Sequence, residues 1–224
     1  MNSDWEEFTV PFPNKIITCH ALAPVVAELL GSDEPITELD IALHLQPERL
    51  RRVLMESVAG LEREGETILL GYGLCGRALE GVCSQKSTLV LPKVDDCVGM
   101  LLGSRQRHRQ VLNEHPGSYF LDPRWLDTEL NIFDQITKGL DHIPQERCKQ
   151  LLKVALKHYD RLVLLAGEEP TEEAEARCRR LAQEHDMDFS RLTRELGLLD
   201  KLLHGPWDGP EFIVAPPRTP IPMF

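Results

Sequence analysis

The sequence predicts an α/β protein with a mostly parallel sheet flanked by helices on both faces, a Rossmann-like single domain. Two observations carry this. Short apolar, β-branched runs alternate with helix-patterned segments along most of the chain, the sign of βαβ units. Several of the runs, KIIT, TILLGY, STLVLP and RLVLLAG, are apolar throughout, as strands covered on both faces must be.

Residues 1–14, MNSDWEEFTVPFPN, read as an irregular arm broken by Pro11 and Pro13. The α/β domain is expected over 15–216. Lys15–Thr18 is the first strand, and Ala21–Leu30 is a helix stopped by Gly31. Ile36–Leu45 reads as a second strand ending at His44. Pro47 opens a helix with a stripe of Leu50, Val53, Leu54, Val58 and Leu61. Thr67–Tyr72 is the third strand, RALEGV a short helix and Ser87–Pro92 the fourth strand. A short helix follows near CVGMLL. Ser104 is placed to cap a basic helix, RQRHRQVLNEH, which Pro116 and Gly117 end. SYFL is a brief strand, and 122–158 is mainly helical. Arg161–Gly167 is a strand, and TEEAEARCRRLAQEH a helix. A further helical stretch precedes a last strand, Glu211–Pro216. The tail, 217–224, is Pro-rich and expected to be extended.

Bulk properties narrow the function. The net charge of −11 over 224 residues opposes nucleic acid and anionic membrane surfaces as partners. No apolar run approaches the ~20 residues of a spanning helix, and the acidic N-terminus lacks a signal-peptide pattern. A cytoplasmic setting is expected, with the six cysteines reduced and open to catalysis, metal binding or packing.

Ligands of open α/β sheets bind beyond the carboxyl ends of the strands. Cys19, Cys75, Cys97 and His44 all fall at or just after strand ends, so the fold should gather them at one edge. Cys75 and Cys97 also precede short helices, whose dipoles favour thiolate. Three thiolates and an imidazole suit zinc; three cysteines with an open position suit an iron–sulfur cluster. No CxxC pair accompanies them, and inert or nucleophilic thiols are the alternatives. Cys83, Cys148 and Cys178 lie in helical stretches and read as small core residues.

Gly71, Gly73 and Gly76 spell GxGxxG after a strand, with Asp95 downstream, the outline of a dinucleotide site. The alternative is a tight turn that aims Cys75. Phosphate-loop, HExxH, GxSxG and D-x-H-x-x-G patterns are absent. Ser104 and Arg105, at a basic helix start, suit a small anionic molecule or cofactor. Asp95 and Asp96 beside Cys97 fit a general base, a partner of the ligands or a helix cap.

The runs TILLGYGLCGRALEGV, LVLPKVDDCVGMLLGSRQRH and HPGSYFLDPRWLD resemble the bacterial and archaeal domain of unknown function 1638, with the resemblance extending from Lys15 to Pro216. It implies a shared pattern at Cys19, His44, Tyr72, Gly73, Cys75, Gly76, Asp96, Cys97, Gly103 and Ser104. Leu45 departs from it, standing where a polar residue, usually Asn, is expected. The resemblance also implies an association with corrinoid-dependent methyltransferase systems and one-carbon metabolism; without D-x-H-x-x-G this chain is not expected to carry the corrinoid itself.

Three functions stay open. One is a metal-binding protein, zinc or iron–sulfur, with Cys19, Cys75, Cys97 and His44 as ligands and Asp96 and Tyr72 as candidate catalytic residues. Another is a nucleotide- or S-adenosylmethionine-binding enzyme using Gly73 and Gly76. The third is a non-catalytic accessory of a methyltransferase system. A homodimer is compatible with each.

Overall fold

The computed structural model describes residues 14–31, 35–126, 131–138, 143–167 and 172–224. The expected N-terminal arm lies outside these except for Asn14. The strands are β1 (Lys15–Cys19), β2 (Ile36–Leu39), β3 (Thr67–Gly71), β4 (Thr88–Pro92), β5 (Ser118–Leu121), β6 (Arg161–Ala166), β7 (Asp188–Thr193) and β8 (Phe212–Ala215). The α-helices among the described residues are α1 (Ala23–Leu30), α2 (Pro47–Leu61), α3 (Cys97–Leu101), α4 (Arg105–Glu114), α5 (Pro123–Leu126), α6 (Ile132–Lys138), α7 (Gln145–Ala155), α8 (Glu172–Glu184) and α9 (Gly197–His204).

The α/β class holds, but the strands divide between two sheets. The first has the order β2-β1-β3-β4-β8, parallel except for β8, which runs antiparallel to β4. The second is parallel, in the order β5-β6-β7. The reason for the division is steric. The late strand β8 occupies the open edge of β4, so the strands between them in sequence must pair with one another. Buried apolar residues of both sheets nevertheless form one continuous cluster. The chain after β7 also reaches the first half of the molecule, where the Glu195 amide donates to Leu101 O at 2.8 Å.

Four local expectations change. The segment expected as one strand to Leu45 stops at Leu39. The Asp40 carboxylate accepts the Ala42 amide at 2.8 Å and turns Ile41–Leu45 into a 3-10 helix, so His44 lies on a helix and not at a strand end. RALEGV forms consecutive turns and not a helix, with Arg77 and Gly81 at positive φ. That leaves Cys83 outside any helix and half-buried. The supposed helical stretch after α8 contains β7. Its burial is patchy and its only large apolar residues, Phe189 and Leu192, are three apart, so no strand period is visible. It forms because the apolar β6 offers it a free edge.

The tail is held by specific contacts. Ile221 is buried and exchanges backbone hydrogen bonds with Gly81 and Val82, at 2.9 Å each. Thr219 N donates to Pro216 O at 3.0 Å, so the tail begins with a turn. No described helix is long and apolar enough to cross a membrane.

A buried ion cluster ties the ends of the second sheet. The Asp122 side chain, 0% exposed after β5, accepts from Arg194 beyond β7 at 3.1 Å and from Arg124 at 3.3 Å. Removing one partner of such a set strands a buried charge. Arg194→Met is therefore expected to lower unfolding stability by about 2 kcal/mol in urea titrations, below the full cost of an unpaired charge because Arg124 remains.

Candidate functional site

The connection leaving β1 leads to β2 on one side, and that leaving β3 leads to β4 on the other. The carboxyl ends of β1 and β3 are therefore the switch point of the sheet, where ligands of such folds bind. Thr18 pairs with Gly71 there, which sets Cys19 abreast of Tyr72. The strands approach closely. The Thr18 hydroxyl donates to Gly71 O at 3.0 Å, and a Cβ on residue 71 would lie 2.5 Å from that hydroxyl.

The loop after Tyr72 then lies flat on the segment after β4. Leu74 N donates to Val94 O at 2.9 Å and Cys75 N to Asp95 O at 3.0 Å. A Cβ on Gly73 would sit 2.6 Å from Asp96 N and 2.8 Å from Val94 O, both rigid backbone. Cys75 itself has φ 45°, a left-handed conformation costing roughly 1–2 kcal/mol for a side-chain-bearing residue. This arrangement delivers Cys75 next to Cys97, the first residue of α3. Asp96 caps that helix, accepting from Val98 N at 3.0 Å and Gly99 N at 3.2 Å.

The three cysteines expected at strand ends thus come together. All six cysteines are free thiols. Cys19 and Cys97 hydrogen-bond to each other through their side chains. With Cys97 as donor, and the amides of Leu22 and Ala21 directed at its sulfur, Cys19 ionises below the ordinary thiol value despite being 1% exposed. Cys97 is pushed well up, first because it gives its hydrogen to Cys19 and then by burial. Burial, followed by the neighbouring Cys19 charge, also raises Cys75. The expectation that helix dipoles would lower Cys75 and Cys97 is therefore corrected. No helix follows Cys75, and α3 is too short to offset burial among like charges. Cys148 and Cys178 lie buried on α7 and α8 as small core residues, and burial lifts Cys178 to about 12.

His44 joins from the 3-10 helix. Its ring stacks on Tyr72 with centroids 6.1 Å apart, and its Nδ1 meets Ile41 O at 3.1 Å. Only a protonated Nδ1 can donate to that carbonyl, so Nε2 keeps its lone pair. Burial lowers the His44 pKa and keeps the ring neutral. Tyr72 is 1% exposed, and its hydroxyl has no hydrogen-bond partner. Burial and the charges of Cys19, Cys75 and Cys97 all oppose its ionisation. Among the described residues, no group of three His, Cys, Asp or Glu side chains is arranged so that it could hold a metal ion.

The remaining candidates have structural employment. Gly73 and Gly76 shape the turn, with Gly76 at φ 66°. The Leu74 and Cys75 amides are taken by carbonyls, and no helix N-terminus follows for a pyrophosphate. Ser104 caps α4 by accepting from Arg107 N at 3.1 Å. Arg105 grips Asp95 Oδ1 at 2.7 Å and Phe224 O at 3.1 Å, and Arg109 takes the other Asp95 oxygen at 3.0 Å. These arginines hold Asp95 well below the usual carboxylate range. One residue escaped the sequence reading. His108, read only as part of a basic face, is 3% exposed, and its Nδ1 lies 3.5 Å from Asp96 Oδ1. The i, i+3, i+4 set of His108, Val111 and Leu112 was the available signal that this residue points inward.

Two outcomes follow from this packing. Gly73→Ala should cost about 1–3 kcal/mol, because an added methyl meets backbone that cannot yield. Gly60→Ala, on α2 with open space around it, should instead stabilise by about 0.5–1 kcal/mol; chemical denaturation of the two variants measures the contrast. In ultraviolet titration of the metal-free protein, the first thiolate should form below the ordinary thiol pKa. Cys97→Ala should move that step upward, since the Cys19 thiolate then loses its donor.

No curated protein and no solved structure matches the chain. A family model described as protein of unknown function (DUF1638) matches residues 38–203. The match takes in His44, Tyr72, Cys75 and Cys97 and begins after Cys19. It spans well over half of the sequence, and the chain belongs to the DUF1638 family.

Proposed function

We propose that the protein binds a metal, as zinc or an iron–sulfur cluster, through Cys19, Cys75 and Cys97, with His44 as a fourth ligand or a close neighbour. The observation that carries this reading is the convergence of three thiols, two buried and one half-buried, from three separate chain segments at the β1 and β3 strand ends. Burying three thiols together is unfavourable for their ionisation, and a cation is the natural counter-charge that lets all three become thiolates. The hydrogen bond from His44 Nδ1 to Ile41 O supports the same reading, since carbonyl-bound histidines present the other nitrogen to metals. Ligation would come by side-chain rotation about backbone positions that the Gly71 and Gly73 contacts already fix.

A zinc ion with an exchangeable position would act as a Lewis acid toward a bound thiol or water; a cluster would transfer electrons. This chain's own residues would bind and orient the group, exclude water through the buried Cys19 and Tyr72, and cap α3 through Asp96. The setting implied by the family resemblance is corrinoid-linked methyl transfer, with the protein as an enzyme or an accessory. The protein purified without oxygen should contain stoichiometric zinc, or iron with sulfide. Cys19→Ser, Cys75→Ser and Cys97→Ser should each bring that content close to background in elemental analysis. Full retention of metal in all three variants would overturn the proposal.

The contact between Cys19 and Cys97 supports a second reading, a dithiol that exchanges with disulfides. A metal-free protein in which a small disulfide converts these two residues to a Cys19–Cys97 bond, found by peptide mapping, would favour it.

A further inference from the structure

Arg124 and Arg194 form a charged pair that the thiol site leaves unused. Both stand at the carboxyl edge of the second sheet, Arg124 just after β5 and Arg194 just after β7, the edge of a parallel sheet where ligands bind. The Asp122 carboxylate is their floor. It takes Nη1 of Arg124 at 3.3 Å and Nη1 of Arg194 at 3.1 Å, so one end of each guanidinium is fixed. The other ends turn to a single second carboxylate, that of Glu28 on α1. Arg124 Nη2 contacts Glu28 Oε2, and Arg194 Nη2 lies 3.9 Å from Glu28 Oε1.

The two carboxylates are unequal. Asp122 is buried and also accepts the Arg124 amide at 3.0 Å. The Glu28 side chain is 54% exposed, and its contact with Arg194 is long. An ion pair to so exposed a partner is weak and exchangeable. Two guanidiniums over one buried carboxylate carry one net positive charge, which Glu28 balances from the solvent side. The neighbouring Trp125 donates its ring N–H to Ala21 O at 2.8 Å, two residues beyond β1. The pair thus lies where the carboxyl ends of the two sheets meet.

We infer that Arg124 and Arg194 form a binding site for the carboxylate of a small molecule, and that Glu28 fills this site until the ligand displaces it. The site shares no residue with the proposed metal centre and does not depend on it. The ligand class follows from what the pair already holds, a planar carboxylate with one oxygen toward each guanidinium. A ligand carboxylate replaces Glu28 charge for charge, so the buried ion cluster keeps its balance while Glu28 turns to water.

Nuclear magnetic resonance of the Arg124 and Arg194 side-chain N–H groups tests this, with acetate replacing chloride at constant ionic strength. Wild type, Glu28→Gln and Glu28→Gln/Arg194→Lys are compared. Acetate should move both signals saturably in wild type. With Glu28 in place more than about nine-tenths of the time, Glu28→Gln should half-saturate at least about tenfold lower, since the open fraction scales the apparent affinity. The lysine variant keeps a charge for Asp122 but loses the second nitrogen. It should bind acetate at least about tenfold more weakly than Glu28→Gln, read from the Arg124 signal. No saturable shift in wild type or in Glu28→Gln, or equal half-saturation in these two, would overturn the inference. Glu28 is exposed, so Glu28→Gln should fold as wild type does, and that comparison decides the matter even where the double variant does not fold.

Discussion

The close approach of Gly73 to the backbone of Asp96 is the constraint on which the rest of the site depends. At 2.6 Å from a would-be Cβ to Asp96 N, only hydrogen fits at residue 73. Two loops that leave neighbouring parallel strands are thereby laid against each other. Two backbone hydrogen bonds, from Leu74 to Val94 and from Cys75 to Asp95, lock their relative register. Cys75 accepts a left-handed conformation as a consequence. The strain at Cys75 is held in place by these backbone contacts on both sides of it.

Around that contact the charges form two layers. The inner layer is soft: three thiols, a neutral imidazole and a phenol, with Cys19, Cys75 and Tyr72 buried and Cys97 and His44 half-buried. The outer layer is hard. Asp95 is clamped by Arg105 and Arg109, and Arg105 also ties down Phe224 through its carbonyl and its ring. Asp96, one residue on, turns the other way to cap α3 and to face His108. Adjacent carboxylates thus take different duties, one bracing α4 and the tail, the other capping α3. The arginine-rich start of α4, which in isolation resembles an anion site, spends its charge inside the protein.

Much of the fold is legible in the chain because parallel, doubly covered strands demand unbroken apolar runs. KIIT, TILLG, TLVLP and RLVLLA each announce themselves in this way. The strand β7 does not, since an edge strand needs only a neighbour with free hydrogen-bonding groups. The second sheet is invisible for a related reason: whether β8 or β5 takes the edge of β4 depends on long-range competition and not on local pattern. His44 shows the limit of local pattern in another way. An apolar run continues through Ile41 and Leu43, but a single Asp40 side-chain hydrogen bond breaks the strand before it.

By itself the sequence determined the α/β class, the main strands, the Ser104 cap and the position of Cys19, Cys75 and Cys97 at or just after strand ends, since these follow from apolar periodicity and from the order of the elements. Only the tertiary structure decided how those thiols ionise, that the glycine-rich loop packs on backbone, that Arg105 is committed to Asp95, and that the Tyr72 hydroxyl is enclosed without a partner. Those properties depend on burial and on distances between segments far apart in the chain, and a local pattern of residues carries neither.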